Sequence, residues 1–332
     1  MANLKLLLAC WDYDRTRALF EGRVQPQGID LELWTTRNVG EIMERMVKHR
    51  QFDVAELGIT YYLRSLELTD APFIAIPVFP NRFFRHSAIF VNAEKGIRTP
   101  GDLAGRRVGE LQRYGHDAGI WAKGALSDDF GVKASSMEHY VGGIERTVPG
   151  PDWAPLDLPA DVKIHQLAPE QGLDAMLERG EIDALFSAHI PPSARKNPAR
   201  VRRLFPDFED VERDYFRRTN IFPIMHTIAI RRDVYEQNRW IARELMRAFE
   251  EAKALAMKAY NAADVFFNAP IMIPWFVSLR EKNRALMGEN FWPYGVEANR
   301  KTLEACLRHH REQGILKRSY NIEELFAPEA LT

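Results

Sequence analysis

Phe79-Pro80-Asn81-Arg82-Phe83-Phe84-Arg85-His86-Ser87-Ala88-Ile89-Phe90-Val91 and Ile221-Phe222-Pro223-Ile224-Met225-His226-Thr227-Ile228-Ala229-Ile230 are two versions of one pattern. In each, a Phe-Pro pair leads to a histidine and a hydroxyl residue, then to an apolar run that reads as extended chain. The segment between the two is itself a set of alternating strand and helix signals. Two similar strands flanking one α/β set predict that the chain leaves one lobe and later returns to it.

Outward from this pair the same alternation continues. Toward the N-terminus, Leu4 to Ala9 reads as a buried strand, Thr16 to Glu21 as a short helix and Gly28 to Trp34 as an alternating strand. Val39 to His49 carries Ile42, Met43, Met46 and Val47 at helical spacing, Phe52 to Leu57 is a short strand, and Gly58 opens another helix. Inside the pair, strands are predicted at Arg107 to Glu110, Ser136 to Val141, Val162 to Gln166 and Ile182 to Phe186. Helices are predicted at Ala118 to Leu126 and at Glu170 to Arg179, the latter stopped by Gly180. Arg239 to Tyr260 and Val296 to Gln313 read as long helices. Alternation of this kind predicts parallel sheets covered by helices. The expected fold class is therefore α/β and two-lobed, with a two-strand hinge and an interlobe cleft. Residues 1–88 and 228–332 form a discontinuous lobe 1, and residues 89–227 form lobe 2.

Composition agrees with two lobes and narrows the partners. The chain has 332 residues, 46% hydrophobic and 27% charged, beyond the size at which one core usually stops growing. Its 45 Lys and Arg against 46 Asp and Glu leave a net charge of −1, so no global field draws nucleic acid or an anionic membrane, and neither is expected as a partner. Cys10 and Cys306 are too few for a disulfide framework and read as inert buried thiols. The N-terminal apolar run of about six residues is too short for a signal peptide, and no stretch approaches the roughly 20 apolar residues of a membrane span. A cytoplasmic protein is expected, and the base rate for intracellular enzymes favours a homo-oligomer.

In open α/β sheets ligands sit at the C-terminal ends of strands, which makes the residues there the candidates. Arg82, Arg85 and His86 fall within five residues, with two phenylalanines between the arginines. They read either as a carboxylate clamp with aromatic walls or as surface arginines over core aromatics. His86 and His226 occupy equivalent places in the two crossings and are candidate proton carriers or structural groups. Tyr114-Gly115-His116-Asp117 opens a helix, where backbone N–H groups favour an anion, although Asp117 can simply cap and Tyr114 simply pack. Asp12 or Arg15 after the first strand, Glu56 at the end of the third and His189 complete the set. No tight ligand spacing joins the histidines, so no metal and no cofactor is expected. No phosphate loop or Gly-x-Ser-x-Gly elbow is present.

Asp12-Tyr13-Asp14-Arg15-Thr16-Arg17, Phe52-Asp53-Val54-Ala55-Glu56-Leu57, Pro77-Val78-Phe79-Pro80 through Phe84-Arg85-His86-Ser87, and Phe222-Pro223-Ile224-Met225-His226 resemble 4,5-dihydroxyphthalate decarboxylase and its relatives. The resemblance runs over nearly the whole chain and implies a fold like that of type II periplasmic solute-binding proteins. It implies a lyase that converts a hydroxylated aromatic acid such as 4,5-dihydroxyphthalate to protocatechuate and CO₂. On that reading His86, His226 and His116 are the catalytic candidates. Arg82, Arg85, Asp12, Arg15, Glu56, Tyr114 and His189 are the binding candidates, and the partner is a small aromatic carboxylate. The segment at Tyr114 to Asp117 departs from the family's small hydroxyl residue, which keeps related acids open as substrates. The alternative is a non-catalytic cytoplasmic solute-binding protein for a small aromatic anion.

Overall fold

The computed structural model describes residues 2–147, 156, 158–266 and 272–331. The chain divides into two compact units: unit 1 comprises the residues up to Arg82, His226–Leu303 and those from Tyr320 on, and unit 2 comprises Phe83–Met225 and Glu304–Ser319. Unit 1 begins with β1 (Leu4–Ala9), α1 (Arg17–Phe20), β2 (Ile29–Trp34), α2 (Val39–His49), β3 (Val54–Gly58), α3 (Ile59–Leu66) and β4 (Phe73–Ile76). Unit 2 follows with β5 (Ile89–Asn92), β6 (Arg107–Leu111), α4 (Asp117–Phe130), β7 (Glu138–Gly142), β8 (Lys163–Gln166), α5 (Leu173–Arg179), β9 (Ala184–Phe186), α6 (Pro192–Lys196), β10 (Val201–Arg203) and α7 (Phe208–Thr219). The chain then gives unit 1 β11 (His226–Arg231), α8 (Arg232–Gln237), α9 (Ile241–Phe266) and α10 (Phe276–Met287), and α11 (Arg300–Glu312) runs through the last division.

Each unit is built on one sheet, in order β2-β1-β3-β11-β4 and β10-β5-β9-β6-β7-β8. Neither sheet is purely parallel, contrary to the simplest reading of the alternation. β1 pairs parallel with β2 and β3, but β11 inserts antiparallel between β3 and β4. In unit 2, β6, β7, β8 and β9 run parallel, while β5 lies antiparallel between β9 and β10. The reversed strands are the ones that follow the first two passages between units. A strand that arrives without a crossover helix from its neighbour is free to pair antiparallel.

The second departure is at the C-terminus, where everything after residue 227 was expected in lobe 1. Glu304–Ser319 instead groups with unit 2. Ile315 completes an apolar cluster with Tyr114, Ile120 and Val141, Gln313 donates to the Ile120 carbonyl at 2.9 Å, and Arg308 forks onto Asp128 at 2.6 and 2.7 Å. Helices α7 and α10 were also unforeseen. Both are charge-rich, and α7 buries little beyond Tyr215 and Phe216. Strand β10 and the short helices α6 and α8 were not foreseen either, whereas the predicted elements match to within a few residues: α2 is capped by the Asn38 side chain, and Gly180 ends α5 in the left-handed region at φ 75°.

Unit 2 has apolar layers on both faces of its sheet. Ile89, Val91, Val108, Ala184 and Phe186 face Ala122 and Leu126 of α4, while Phe90 and Leu185 face Leu173, Met176 and Leu177 of α5. Side chains alternate sides at period two, so strands covered on both faces read as unbroken apolar runs. One charged group interrupts this core. Glu110 of β6 accepts from Lys123 of α4 at 2.6 Å and lies 2.7 Å from the His139 ring of β7, all three fully buried. Burial opposes ionisation of Glu110, but Lys123 and His139 outweigh it and hold the carboxyl down to about 2. Lys123→Met should therefore cost about 3–5 kcal/mol by stranding the carboxylate, and adding Glu110→Leu should recover much of that loss. Urea denaturation of the single and double variants checks this.

Candidate active site

Glu56 lies in the middle of β3, a strand with every residue buried, so its carboxylate needs partners. Neighbouring segments supply three. The Trp11 backbone N–H donates to Oε2 at 2.9 Å, the Tyr13 hydroxyl donates to Oε1 at 2.7 Å, and His226 Nδ1 lies 2.5 Å from the same oxygen. Strand register explains the meeting, since Glu56 pairs with Ile228 of β11 and β1 ends beside Ala55. Burial opposes ionisation of Glu56, but His226, Trp11 and Tyr13 together hold its carboxyl below the usual range. A carboxylate accepts and does not donate, so Nδ1 of His226 carries the shared proton. Nε2 makes no hydrogen bond among the described residues, and the side chain is 10% exposed. This nitrogen is the one free to exchange a proton with a ligand.

The loop after β1 is fixed locally. Thr16 Oγ1 accepts the Tyr13 N–H at 2.9 Å and donates to the Trp11 carbonyl at 2.8 Å, closing the turn that aims Tyr13 at Glu56. Burial and the Glu56 charge push the Tyr13 phenol well up, which keeps it a donor. Cys10, at the same strand end, is fully buried, and burial with the charge of Glu56 pushes its thiol up as well.

Arg15 stands on the other side of Tyr13. Its guanidinium carbon lies 4.0 Å from the Tyr13 ring centre and 4.3 Å from that of Trp292. Nε donates to the Pro80 carbonyl at 2.6 Å and Nη1 to Asp14 at 2.9 Å. Burial opposes ionisation of Asp14, but Tyr260 and Arg15 keep its carboxyl below the usual range. The remaining nitrogen, Nη2, makes no hydrogen bond among the described residues, and the side chain is 15% exposed. An anionic group can therefore dock on Arg15.

Of the residues singled out in the sequence, the structure joins Glu56 to His226 directly and places Arg15 against Tyr13, which bonds Glu56, all in unit 1. Asp12 is left at the surface in an exposed pair with Arg17. Arg82 and Arg85 fall in different units, and each is bound within its own. Arg82 is 3% exposed and ties to the Pro293 carbonyl at 2.7 Å and to Asn299, and burial brings its guanidinium down to about 9. Arg85, in unit 2, rests on the Met225 thioether at 2.8 Å, and burial brings it down to about 10 against the pull of Asp117 and Glu212. Phe84, expected as a ligand wall, stacks on Phe222 at 4.8 Å.

The remaining unit 2 candidates are also placed otherwise than expected. His86 is 2% exposed, packed against Phe205 and Tyr215, and neither ring nitrogen finds a partner among the described residues. Burial draws its pKa down to about 4, which favours the neutral ring. His116 caps α4, its Nδ1 accepting the Ala118 N–H at 3.3 Å, so Asp117 is not the cap. Tyr114 is 2% exposed and lies over Lys123 in the core. His189 is exposed on a turn held by Ser187. Among the described residues no group of three or more His, Cys, Asp or Glu is placed to hold a metal ion, and no helix is long and apolar enough to cross a membrane. The sequence reading missed Trp292 and Tyr260, for which no local pattern exists, because they reach Arg15 and Asp14 from distant parts of the chain.

No family model matches the chain. It is 32% identical over 331 residues to 4,5-dihydroxyphthalate decarboxylase of Comamonas testosteroni, covering 100% of this chain and 98% of that protein. A protein of the same name from Pseudomonas putida is 33% identical over 217 residues, covering 65% of this chain and 83% of its own length. Among solved structures, the periplasmic sulfonate-binding protein SsuA of Methylobacillus flagellatus superposes with a TM-score of 0.57 at 14% identity, covering 99% of this chain and 93% of that one. The fold is that of the type II periplasmic binding proteins.

Proposed function

Because the chain belongs to the 4,5-dihydroxyphthalate decarboxylase family, we propose that it removes one carboxylate from a hydroxylated aromatic acid such as 4,5-dihydroxyphthalate, giving protocatechuate and CO₂. The observation that carries this reading is the Glu56–His226 pair, a histidine oriented by a buried carboxylate with its second nitrogen available. Arg15, on the far side of Tyr13, supplies the cation that such a substrate needs.

In 4,5-dihydroxyphthalate each carboxylated carbon lies para to a hydroxyl. That hydroxyl gives its proton to solvent and the phenolate pushes electron density onto the ring carbon, which then takes a proton; the phenolate re-formed as CO₂ leaves takes a proton back from solvent. His226 as imidazolium delivers this proton from Nε2, and Glu56 stabilises the cation beforehand through Nδ1. The bond to the carboxylate then breaks, its electron pair restores the aromatic ring, and CO₂ leaves. The neutral histidine regains its proton from solvent. Arg15 holds the carboxylate that stays. Tyr13 donates to Glu56 and so keeps that carboxylate from turning toward the substrate. A donor placed in this way typically contributes about 10²- to 10⁴-fold.

The deciding experiment is CO₂ release by the purified protein from 4,5-dihydroxyphthalate and a panel of hydroxylated aromatic acids, with and without chelator. Turnover is expected with 4,5-dihydroxyphthalate, and chelator should leave it unchanged because the scheme uses no metal. Binding of these acids without CO₂ release from any of them would replace the lyase by a non-catalytic binding protein.

A further inference from the structure

We propose that Trp292 is a positioning residue which, through Arg15, sets the protein's grip on the carboxylate that the substrate retains. The inference rests on the proposed role of Arg15 as carboxylate anchor. An arginine beside a ligand site has several rotatable bonds, and its affinity for a carboxylate depends on how much of that freedom is removed beforehand. Here nearly all of it is removed. The guanidinium carbon lies 4.0 Å from the Tyr13 ring centre and 4.3 Å from that of Trp292. These two ring contacts restrain the plane, and Nε on the Pro80 carbonyl with Nη1 on Asp14 restrains rotation within it.

Trp292 is itself held from the same short segment. Its indole Nε1 donates to the Phe79 carbonyl at 2.9 Å, while Arg15 takes the very next carbonyl, that of Pro80, at 2.6 Å. The Phe79-Pro80 backbone thus sets the spacing between the tryptophan and the arginine it covers. Tyr13 is fixed from the opposite side, because its hydroxyl donates to the Glu56 oxygen that also meets His226. The guanidinium thus touches one ring that is tied to Glu56, the partner of the proposed proton donor, and another that is tied to the Phe79 carbonyl. Nη2 makes no hydrogen bond among the described residues and points the contact at the acid function of a ligand and not at its ring.

Protocatechuate keeps the carboxylate and catechol has none, so the pair separates this role from general packing. Dissociation constants for both are measured by calorimetry on the full chain for wild type, Trp292→Leu, Trp292→Phe, Arg15→Gln and the Trp292→Leu/Arg15→Gln double variant. Trp292→Leu should weaken protocatechuate about tenfold and catechol less than about twofold, with Trp292→Phe losing less because a ring face remains. The double variant should bind protocatechuate no worse than Arg15→Gln alone, since Trp292 acts only through Arg15. Equal losses for the two ligands in Trp292→Leu, or in Trp292→Phe if the leucine variant does not fold, would make Trp292 a packing residue and overturn the proposal. If Arg15→Gln weakens protocatechuate while both Trp292 variants bind it as wild type does, the proposal fails and the anchor reading stands. If Arg15→Gln changes nothing either, the anchor reading itself falls.

Discussion

Replacing His226 with glutamine should lower kcat for CO₂ release by about 10²- to 10⁴-fold and leave KM within about threefold, because the variant loses a proton donor and not a binding contact. Glutamine can still donate a hydrogen bond to Glu56, so the buried carboxylate keeps a partner and the fold should survive. The contrasting variant is His86→Phe. Among the described residues His86 makes no hydrogen bond through either ring nitrogen and packs against Phe205 and Tyr215, so an apolar ring of similar size should fit. Its kcat should stay within about threefold of wild type. Steady-state kinetics on the two variants decides between the histidines that looked equivalent in the sequence. Should His226→Gln retain more than about a third of wild-type kcat, histidine acid catalysis would be removed from the mechanism.

Glu56→Gln should be nearly as damaging, by about 10²-fold or more in kcat, for a different reason. The carboxylate takes the Nδ1 proton and stabilises the imidazolium, whereas an amide can donate to Nδ1 and thereby favour the wrong tautomer. Its second signature lies in stability. The folded-state pKa of Glu56 lies below its unfolded value, which is near 4.3 in model peptides. A depressed carboxyl contributes stability that is fully present above the unfolded value and fades as pH falls through the folded one. Wild type should therefore lose stability progressively below about pH 4.5, and Glu56→Gln should show a shallower decline over that range. Denaturation midpoints taken from pH 7 down to pH 3 make the comparison. An unchanged slope in the variant would mean that Glu56 does not carry the charge assigned to it.

The two histidines show how far a sequence echo can be read. Phe79-Pro80 to His86 and Phe222-Pro223 to His226 are similar because both precede strands that follow a passage between units. That likeness suggested two passages near residues 88 and 227. It did not say that residues 86–88 would form a short 3₁₀ turn in unit 2 while His226 became the first residue of β11 in unit 1. One histidine consequently meets two aromatic rings, and the other meets a carboxylate.

The sequence by itself determined the α/β class, most element positions, the resemblance to the family, and Glu56, His226 and Arg15 as candidates. These follow from local periodicity, turn chemistry and short motifs, all of which act between residues near in the chain. Only the tertiary structure decided which cations keep a nitrogen for a ligand and which are spent inside the fold. Arg82 is consumed by Pro293 and Asn299, and Arg15 is clamped by Trp292 with Nη2 left over. The same holds for the antiparallel places of β5 and β11, and for the return of Glu304–Ser319 to unit 2. The physical reason is common to all of them: burial and hydrogen-bond satisfaction depend on which distant segments arrive at a side chain, and no pattern local to Arg15, Arg82 or His86 records that arrival.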